Sequence, residues 1–313
     1  MPFYSPRRDF LRLLGSGTLG ASLARFSRAS NSDIPLSVKK LADNFVLLAA
    51  GWNALLVTGR SGSILVDDGP SERSAELVKV ISEQSGGFPV QLVFNTHWHP
   101  ENTGANDVLS KSGAKIIAHE NTRLTMGMDL FGESGNRIYK ARPKGALPTE
   151  TFFTSAPTTR QLTFGDEPIE YGYLPQAHTD GDIYVYFSKG NVLMAGDVVA
   201  VGRYPVLDNS SGGWIGGMAQ ASKILLKVAN AETQIVPGRG PIQTRADLEA
   251  QSEMLSTVFQ RLVKLMKQGM SAKDMVAAAP TKEFDGRWGN PELFITSAYR
   301  GLWGHARELG GVI

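Results

Sequence analysis

The sequence predicts an α/β protein with two β-sheets, helices outside them and a helical C-terminal tail. Short apolar or β-branched runs separated by turn residues indicate strands as far as Val236. Apolar residues at helical spacing occur between some of these runs, and beyond Pro241 the helical pattern alone remains. With 313 residues, 42% of them hydrophobic and 20% charged, the chain has enough apolar material for one large domain or two small ones.

The predicted strands fall into two groups along the chain. The first group consists of Phe45–Leu48, Ala54–Val57, Ile64–Val66, Leu92–Phe94 and Ile116–Ala118. The second group consists of Arg160–Thr163, Ile169–Tyr173, Ile183–Phe187, Val192–Met194 and Gln234–Val236. Glycine, aspartate and asparagine stand between the later runs, where the chain has to turn. The two groups therefore predict two sheets.

Helices are predicted both between these strands and after them. The earlier helices are Glu72–Glu83, Ala105–Ser112 and Trp214–Val228, and the tail helices are Ala246–Lys267, Ala272–Ala279 and Pro291–His305. Residues 131–158 are rich in Gly, Pro, Thr and Ser, which predicts a long loop. We place an α/β domain at 31–243 and a helical C-terminal extension at 244–313. The apolar stripe of the tail helices is expected to pack on the sandwich or to form a homo-oligomer with a partner subunit.

The first 30 residues have the pattern of a bacterial export signal. A charged start, Arg7-Arg8-Asp9-Phe10-Leu11, precedes an apolar, Gly-rich stretch and small residues near Ala29. The paired arginines resemble the twin-arginine signature. An ordinary amphipathic helix is the alternative, and each glycine of the stretch would cost such a helix about 1 kcal/mol. We therefore expect a mature protein that begins near residue 30 and is periplasmic or secreted.

The net charge of +2 comes from this N-terminal segment. Without its five arginines and one aspartate, the body has 27 basic and 29 acidic side chains, a net charge of −2. Such a body disfavours nucleic acid as a partner, because phosphate-backbone binding needs a clustered positive surface. No apolar run is long enough for a membrane-spanning helix, so no stable membrane insertion is expected. The absence of cysteine excludes disulfides, thiolate metal ligands and a thiol nucleophile.

Histidines that follow predicted strands indicate a metal site. The chain has five histidines, and His97 and His99 are two residues apart, directly after the strand Leu92–Phe94. Side chains at this spacing lie on one side of an extended chain, so two imidazoles can converge on one ion while Trp98 points away. His178 follows another predicted strand and is the natural third ligand of a Zn²⁺ site that leaves one position for water. The alternative is a surface pair that only forms hydrogen bonds.

Short motifs surround these histidines in a fixed order: Ile64-Leu65-Val66-Asp67-Asp68-Gly69, Asn95-Thr96-His97-Trp98-His99, Ala118-His119-Glu120, His178-Thr179-Asp180-Gly181, Ala195-Gly196-Asp197 and Val236-Pro237-Gly238-Arg239-Gly240. This succession covers about residues 41–243 and resembles the metallo-β-lactamase superfamily. The resemblance implies an αββα four-layer sandwich with the site at one edge. It implies His97, His99 and His178 as ligands of the first metal, and Asp197 as a carboxylate that touches or bridges the metals. It further implies that His119 is not ordinarily a ligand.

The sequence departs from the family pattern at three positions. In the family motif H-x-H-x-D-H, Glu101 replaces Asp and Asn102 replaces the last His, while Arg239 replaces the family's closing histidine. Those positions normally form the second metal site, and a guanidinium cannot ligate a metal. We therefore expect one Zn²⁺ per chain, with Fe²⁺ as the alternative ion. Asp197 stands where antibiotic-cleaving members generally carry another residue, which argues against a dedicated β-lactamase.

These residues favour a secreted hydrolase that uses metal-bound hydroxide on a small-molecule ester, thioester, lactone or amide. Glu101 is the candidate general base or water-orienting group, and Arg239 the candidate for binding a substrate anion or stabilising an oxyanion. A purely structural Glu101–Arg239 salt bridge has equal weight. Two alternatives stay open: a degenerate, non-catalytic member that binds a ligand or partner, and an iron-dependent oxidoreductase of sulfur compounds.

Overall fold

The structure is a computed structural model, and it describes residues 34–131, 136–307 and 309–310. The predicted export signal at residues 1–30 lies outside these residues. Within the described ranges, no helix is both long and apolar enough to cross a membrane.

The first sheet has seven strands in the order β1-β2-β3-β4-β5-β6-β9. Their bounds are β1 Ser37–Ala42, β2 Phe45–Ala49, β3 Asn53–Thr58, β4 Ser63–Val66, β5 Val90–Phe94, β6 Lys115–His119 and β9 Glu150–Phe152. Strands β1 to β4 form an antiparallel meander, and β4, β5, β6 and β9 run parallel. A separate two-stranded hairpin, β7 Leu130–Phe131 and β8 Arg137–Tyr139, precedes β9.

The second sheet has five strands in sequence order. They are β10 Thr159–Phe164, β11 Glu167–Tyr173, β12 Ile183–Phe187, β13 Val192–Met194 and β14 Gln234–Val236. The first four are antiparallel, and β14 joins β13 in parallel. The carboxyl ends of β13 and β14 therefore lie at the same edge of this sheet.

Eight α-helices lie in the described ranges: α1 Ser74–Gln84, α2 Asn106–Lys111, α3 Glu120–Met126, α4 Ile215–Val228, α5 Arg245–Lys267, α6 Ala272–Ala277, α7 Asp285–Trp288 and α8 Glu292–Gly304. The longest, α5, begins with a capping box in which Thr244 and Asp247 satisfy each other's backbone N–H groups. This cap explains why the helical tail starts just after Pro241, close to the predicted position.

Three apolar clusters show how the layers stack. The two sheets face each other through side chains such as Phe45, Phe94 and Val185. The other face of the first sheet packs on α1 and α2, with Leu77 and Leu109 in that cluster. The other face of the second sheet packs on α4, α5 and α8. This order of layers is the predicted αββα sandwich with a helical C-terminal part, and the fold prediction is confirmed. The predicted boundary between 243 and 244 stays a prediction.

The prediction of a long loop at residues 131–158 is wrong in part. Strand β9 lies inside it and adds to the edge of the first sheet through β6, and the β7–β8 hairpin begins at its start. Strand β9 has the sequence Glu-Thr-Phe, which carries no apolar run. Its extended form depends on pairing with β6, and a pattern within the strand cannot report such a contact.

Candidate metal centre

Three histidines and an aspartate meet where strands of both sheets end. His97 and His99 follow β5, His178 follows β11, and Asp197 lies in the short 3₁₀ turn after β13. One ligand atom from each of the four residues lies within 4.8 Å of the others. His97 and His178 are buried, whereas His99 and Asp197 keep a small exposed fraction. The structure thus brings together the four side chains that the sequence analysis selected as ligands.

Hydrogen bonds on the outer side of each ring define which nitrogen faces the centre. His178 Nδ1 lies 2.9 Å from the Val206 carbonyl oxygen, and a carbonyl can only accept, so Nδ1 carries the proton. His99 Nε2 donates in the same way to Asp208 Oδ2 at 3.1 Å. The Thr96 hydroxyl gives its proton to Asp67, so it accepts from His97 Nδ1 at 3.0 Å.

The inner nitrogens of the three rings then face one another. His99 Nδ1 lies 3.1 Å from His97 Nε2 and 3.1 Å from His178 Nε2. With the outer nitrogens protonated, no proton is left to form a hydrogen bond between the inner ones, and their lone pairs repel. A cation at the centre removes this repulsion, and three imidazole nitrogens with a carboxylate are a donor set that Zn²⁺ accepts. The residues present therefore fit a divalent metal ion.

The electrostatics of the centre suit the same ion. Burial lowers the pKa of both His97 and His178, and the neighbouring imidazoles lower it further, so both rings are neutral at pH 7. Burial acts to raise the pKa of Asp197, but its charged neighbours, the Arg239 guanidinium foremost, outweigh burial, and the pKa falls below its ordinary value. Neutral imidazoles and an ionised carboxylate are the forms that bind metals.

Arg239 follows β14 and pairs with both carboxylates on its side of the centre. Its Nη2 donates to Glu101 Oε1 at 2.9 Å and to Asp197 Oδ2 at 3.1 Å. Burial tends to raise the pKa of Glu101, but His99 and Arg239 more than compensate, so the pKa lies below its ordinary value. The expected Glu101–Arg239 salt bridge is present, and the guanidinium lies beside the groups that the family pattern assigns to a second metal.

Asn102 is turned toward Asp67. Its Nδ2 donates to Asp67 Oδ2 at 3.0 Å, while the buried Asn102 Oδ1 has no hydrogen-bond partner among the described residues. Asp67 also accepts from the backbone N–H and the hydroxyl of Thr96, at 2.7 Å each. It therefore supports His97 through Thr96. The support is indirect, because Thr96 lies between Asp67 and the imidazole ring.

Two glycines let the ligand loops approach each other. Gly196 has φ of +54°, and a Cβ there would lie 2.4 Å from Thr96 Oγ1. A Cβ on Gly238 would lie 2.2 Å from Asp197 Oδ1. The loop that carries His178 is held by Asp182, which accepts from the Thr179 backbone N–H at 2.7 Å and hydroxyl at 2.9 Å. Larger residues at either glycine would displace Asp197 or Thr96.

The remaining histidines lie outside the cluster, as expected. His119 caps α3, its Nε2 lies 3.2 Å from the Thr154 carbonyl oxygen, and its ring stacks on Tyr173 at 4.1 Å. His305 stacks on Trp214 at 3.9 Å. Sequence reasoning missed Asp208, which accepts the hydrogen bond from His99. An Asp at the start of the Ser-Gly-rich turn 208–213 is an ordinary cap signal, and nothing local connects it to a histidine far away in the sequence.

The sandwich with a His₃–Asp cluster at its strand ends defines an αββα protein with a metal-binding site. A model of the metallo-beta-lactamase superfamily matches residues 51–246, and the chain belongs to that family.

Curated relatives are hydrolases of moderate similarity. A metallo-beta-lactamase type 2 from Bacillus sp. (strain 170) is 27% identical over 191 residues, which are 61% of this chain and 67% of the relative. A hydroxyacylglutathione hydrolase from Erythrobacter litoralis (strain HTCC2594) is 31% identical over 95 residues, 30% of this chain. That match spans 36% of the relative's length.

Solved structures share the fold. A metallo-beta-lactamase from Pontibacter korlensis has a TM-score of 0.58 at 20% identity, over 71% of this chain and 99% of that one. A stereoselective inverting sec-alkylsulfatase from Pseudomonas sp. has a TM-score of 0.68 at 15% identity, over 85% of this chain and 50% of that one. At these identities the similarity establishes the fold alone.

Proposed function

We propose that this protein is a metal-dependent hydrolase with one metal ion per chain, acting on an ester, thioester, lactone or amide. The carrying observation is the convergence of three imidazole nitrogens and the Asp197 carboxylate within 4.8 Å. Zn²⁺ is the proposed ion because it favours such nitrogen donors, and His97, His99 and His178 are its proposed ligands, with Asp197 at its side.

The charge around the cluster supports one dication rather than two. Asp197, Asp208 and Glu101 all have a pKa below the ordinary value after burial is offset by cationic neighbours or hydrogen bonds, so all three are carboxylates at neutral pH. Arg239 contributes one positive charge. The surplus of two negative charges balances one divalent ion. A second ion beside Arg239 would be repelled by the guanidinium.

A bound metal supplies Lewis acidity and lowers the pKa of water at the site. The chain's own groups do the rest. Glu101 pairs with Arg239 through Oε1, and its second carboxylate oxygen, Oε2, is the proposed acceptor for a hydrogen bond that orients water. Arg239 keeps its Nη1 outside the two ion pairs, and that group can donate to a substrate oxygen as negative charge develops there. The supports on Thr96, Asp208 and Val206 hold the imidazole rings in orientation.

A non-catalytic ligand-binding protein is the second candidate. It is favoured by one observation: both carboxylates on the Arg239 side already pair with its guanidinium. In this reading Arg239 only neutralises Glu101 and Asp197. The two candidates differ in turnover and agree on metal binding.

The discriminating experiment measures metal content and turnover together. Protein purified without chelator is analysed for Zn²⁺ and Fe²⁺ and assayed on ester, lactone, thioester and β-lactam substrates, before and after chelation. We expect near one Zn²⁺ per chain and chelator-sensitive turnover on one substrate class. His97→Ala, His99→Ala and His178→Ala should each lose the ion, while the control His119→Ala keeps it. Metal-loaded protein with no turnover on any class would favour the second candidate, and iron with sulfur-compound oxidation would replace both.

Location and assembly are part of the proposal. We propose that the protein is exported through the signal at residues 1–30 and acts in the periplasm or outside the cell. A precursor whose N-terminus remains uncleaved and cytoplasmic in a bacterial host would contradict this. We also propose that a homo-oligomer, if one forms, uses the exposed face of α8, which carries Leu293 and Trp303.

A further inference from the structure

Trp98 stands between two proposed metal ligands, and its side chain is held at both ends. The ring lies edge-on against Tyr139 of the β7–β8 hairpin, with 5.0 Å between centroids. Its Nε1 donates to Ser211 Oγ at 3.0 Å. Only 6% of the residue is exposed. The same ring also lies edge-on to His99, with 4.4 Å between centroids. Trp98 therefore packs on a proposed ligand and also makes a specific polar contact.

Ser211 passes this contact on to Asp208. An indole N–H can only donate, so Ser211 Oγ accepts from Trp98 and its own proton is free for another group. That proton goes to Asp208 Oδ2, at 2.5 Å. The same oxygen accepts from His99 Nε2 at 3.1 Å. A continuous chain of hydrogen bonds thus runs from Trp98 through Ser211 and Asp208 to His99.

The geometry of this chain decides which nitrogen of His99 faces the metal centre. Asp208 Oδ1 is occupied by the backbone N–H and hydroxyl of Ser210, so Oδ2 is the oxygen left for His99. Ser211 fixes the orientation of Oδ2, and Trp98 fixes the hydroxyl rotor of Ser211. His99 must then donate through Nε2, which leaves Nδ1 as the nitrogen toward His97 and His178.

The fold does not satisfy every buried indole in this way. The Nε1 of Trp52, which is 1% exposed, has no hydrogen-bond partner among the described residues. Trp52 offers a matched comparison, because its indole N–H is buried without such a bond.

We propose that Trp98 and Ser211 are positioning residues that hold Asp208, and through it His99, with Nδ1 directed at the metal. The proposal rests on the proposed function in that His99 is taken as a metal ligand. Partners one shell outside a metal ligand typically change metal affinity by about 10- to 100-fold when removed.

The test uses the full chain and five variants, two of them controls. Trp98→Phe keeps the ring on Tyr139 and removes the N–H, Ser211→Ala removes the hydroxyl, and the double variant removes both. Trp52→Phe and Ser256→Ala are controls, because the Ser256 hydroxyl is also buried without a partner among the described residues. Zn²⁺ affinity is measured by competition with a chromophoric chelator. The tautomer of His99 is measured by ¹⁵N NMR on metal-free protein.

We expect Trp98→Phe and Ser211→Ala each to weaken Zn²⁺ binding by about 10- to 100-fold, with the double variant no weaker than the worse single one. In metal-free protein, wild-type His99 should be the Nε2–H tautomer, and the variants should show a mixture. Unchanged affinity and tautomer in both variants, or equal losses in the controls, would overturn the positioning role. If wild type binds no metal, the proposed function fails, while the tautomer measurement still supports or overturns the chain of hydrogen bonds.

Discussion

At the scale of single residues, the site differs from the family pattern because a charged guanidinium, that of Arg239, stands in place of a histidine. Arg239 donates to Glu101 and to Asp197 on the side where the family pattern has metal ligands. A planar guanidinium can bind two carboxylates at once, which a metal-coordinating imidazole at the same position would not do. The negative charges that would attract a second ion are therefore already compensated.

Glu101 is the residue whose role is easiest to separate from metal binding. Glu101→Gln keeps the size of the side chain and removes its charge. If Glu101 orients or deprotonates water, the variant should keep its metal and lose about 10²- to 10⁴-fold in kcat. The measurement is kcat with metal content on the same sample, and Glu249→Gln, on the exposed side of α5, serves as control. Unchanged kcat with metal retained would reduce Glu101 to a structural partner of Arg239.

The double variant Asn102→His with Arg239→His tests why one metal is expected. It supplies two neutral nitrogen donors and removes the guanidinium that repels a second dication. Zinc stoichiometry should rise from near one toward two, with Glu101 and Asp197 available as further ligands. Activity should fall if Arg239 binds a substrate anion, because a metal does not copy its bidentate geometry. Arg203→His is the control, since Arg203 lines the same small cavity as Arg239. Two zinc ions in wild type would refute the reasoning.

At the scale of elements, the predictable features were those with a local signal. The strands β3, β5 and β12 contain the apolar runs Ala54–Val57, Leu92–Phe94 and Ile183–Phe187. Helix α5 has both a capping box and a helical apolar stripe. Strand β9 and helix α3 were missed. The first has no apolar run, and the second follows directly on β6 with His119 as its cap, so no turn residue separates them. A strand that forms by pairing with a distant strand, or a helix capped by an unusual residue, leaves no recognisable pattern in its own sequence.

The same distinction applies to the candidate site. The motif around His97 and His99, and the strand before His178, made these three histidines predictable as candidate ligands. The contacts that orient them were not, because Thr96 reaches Asp67 and His99 reaches Asp208 across long sequence separations. A side chain that only supports another can come from any loop that the fold brings near.

The tail helix α5 should behave as part of the sandwich core. Leu255 is fully buried in the cluster that covers the outer face of the second sheet. Leu255→Ala should lower the free energy of unfolding by about 2–5 kcal/mol, since the cavity adds to the lost transfer energy. Leu124→Ala, at a position 53% exposed on α3, should change it by less than about 0.5 kcal/mol. Chemical denaturation with metal content followed in parallel makes the comparison. An effect of Leu255→Ala as small as the control's would show that α5 is not needed for this core.

At the scale of the whole molecule, stability and metal binding draw on the same buried groups. The centre collects imidazoles and ionised carboxylates inside a structure whose sheets otherwise face each other through apolar side chains. Burying these polar groups costs free energy unless they are hydrogen-bonded or bound to an ion. The free energy of unfolding of the metal-free protein should therefore depend on pH through these groups.

For two of those groups, His97 and His178, the pKa shift gives the direction in which the free energy of unfolding changes with pH. Burial holds the pKa of His97 and His178 below the ordinary value of 6.5. Below pH 6.5 the unfolded chain binds protons at these two histidines that the folded chain does not bind. The free energy of unfolding therefore falls as the pH falls. Asp67 has the opposite effect on the free energy of unfolding. Burial raises its pKa to about 7, so between pH 3.8 and 7 the folded chain binds a proton that the unfolded chain has lost. The profile of wild type alone mixes the two effects.

The histidine contribution is isolated by comparing wild type with the double variant His97→Asn and His178→Asn, both stripped of metal. Asn carries no titrating group, so the variant keeps the Asp67 contribution and loses that of the imidazoles. Urea unfolding at pH 8 and at pH 5 should show the free energy of unfolding of wild type falling further than that of the variant, by at most about 1.4 kcal/mol per pH unit below 6.5 for each ring. Leaving chelator out and adding Zn²⁺ should restore wild type alone, since bound metal stabilises only a folded state that can hold it. Parallel pH profiles for the two proteins would mean that the imidazoles accept protons in the folded state, and the buried cluster of neutral rings would have to be abandoned.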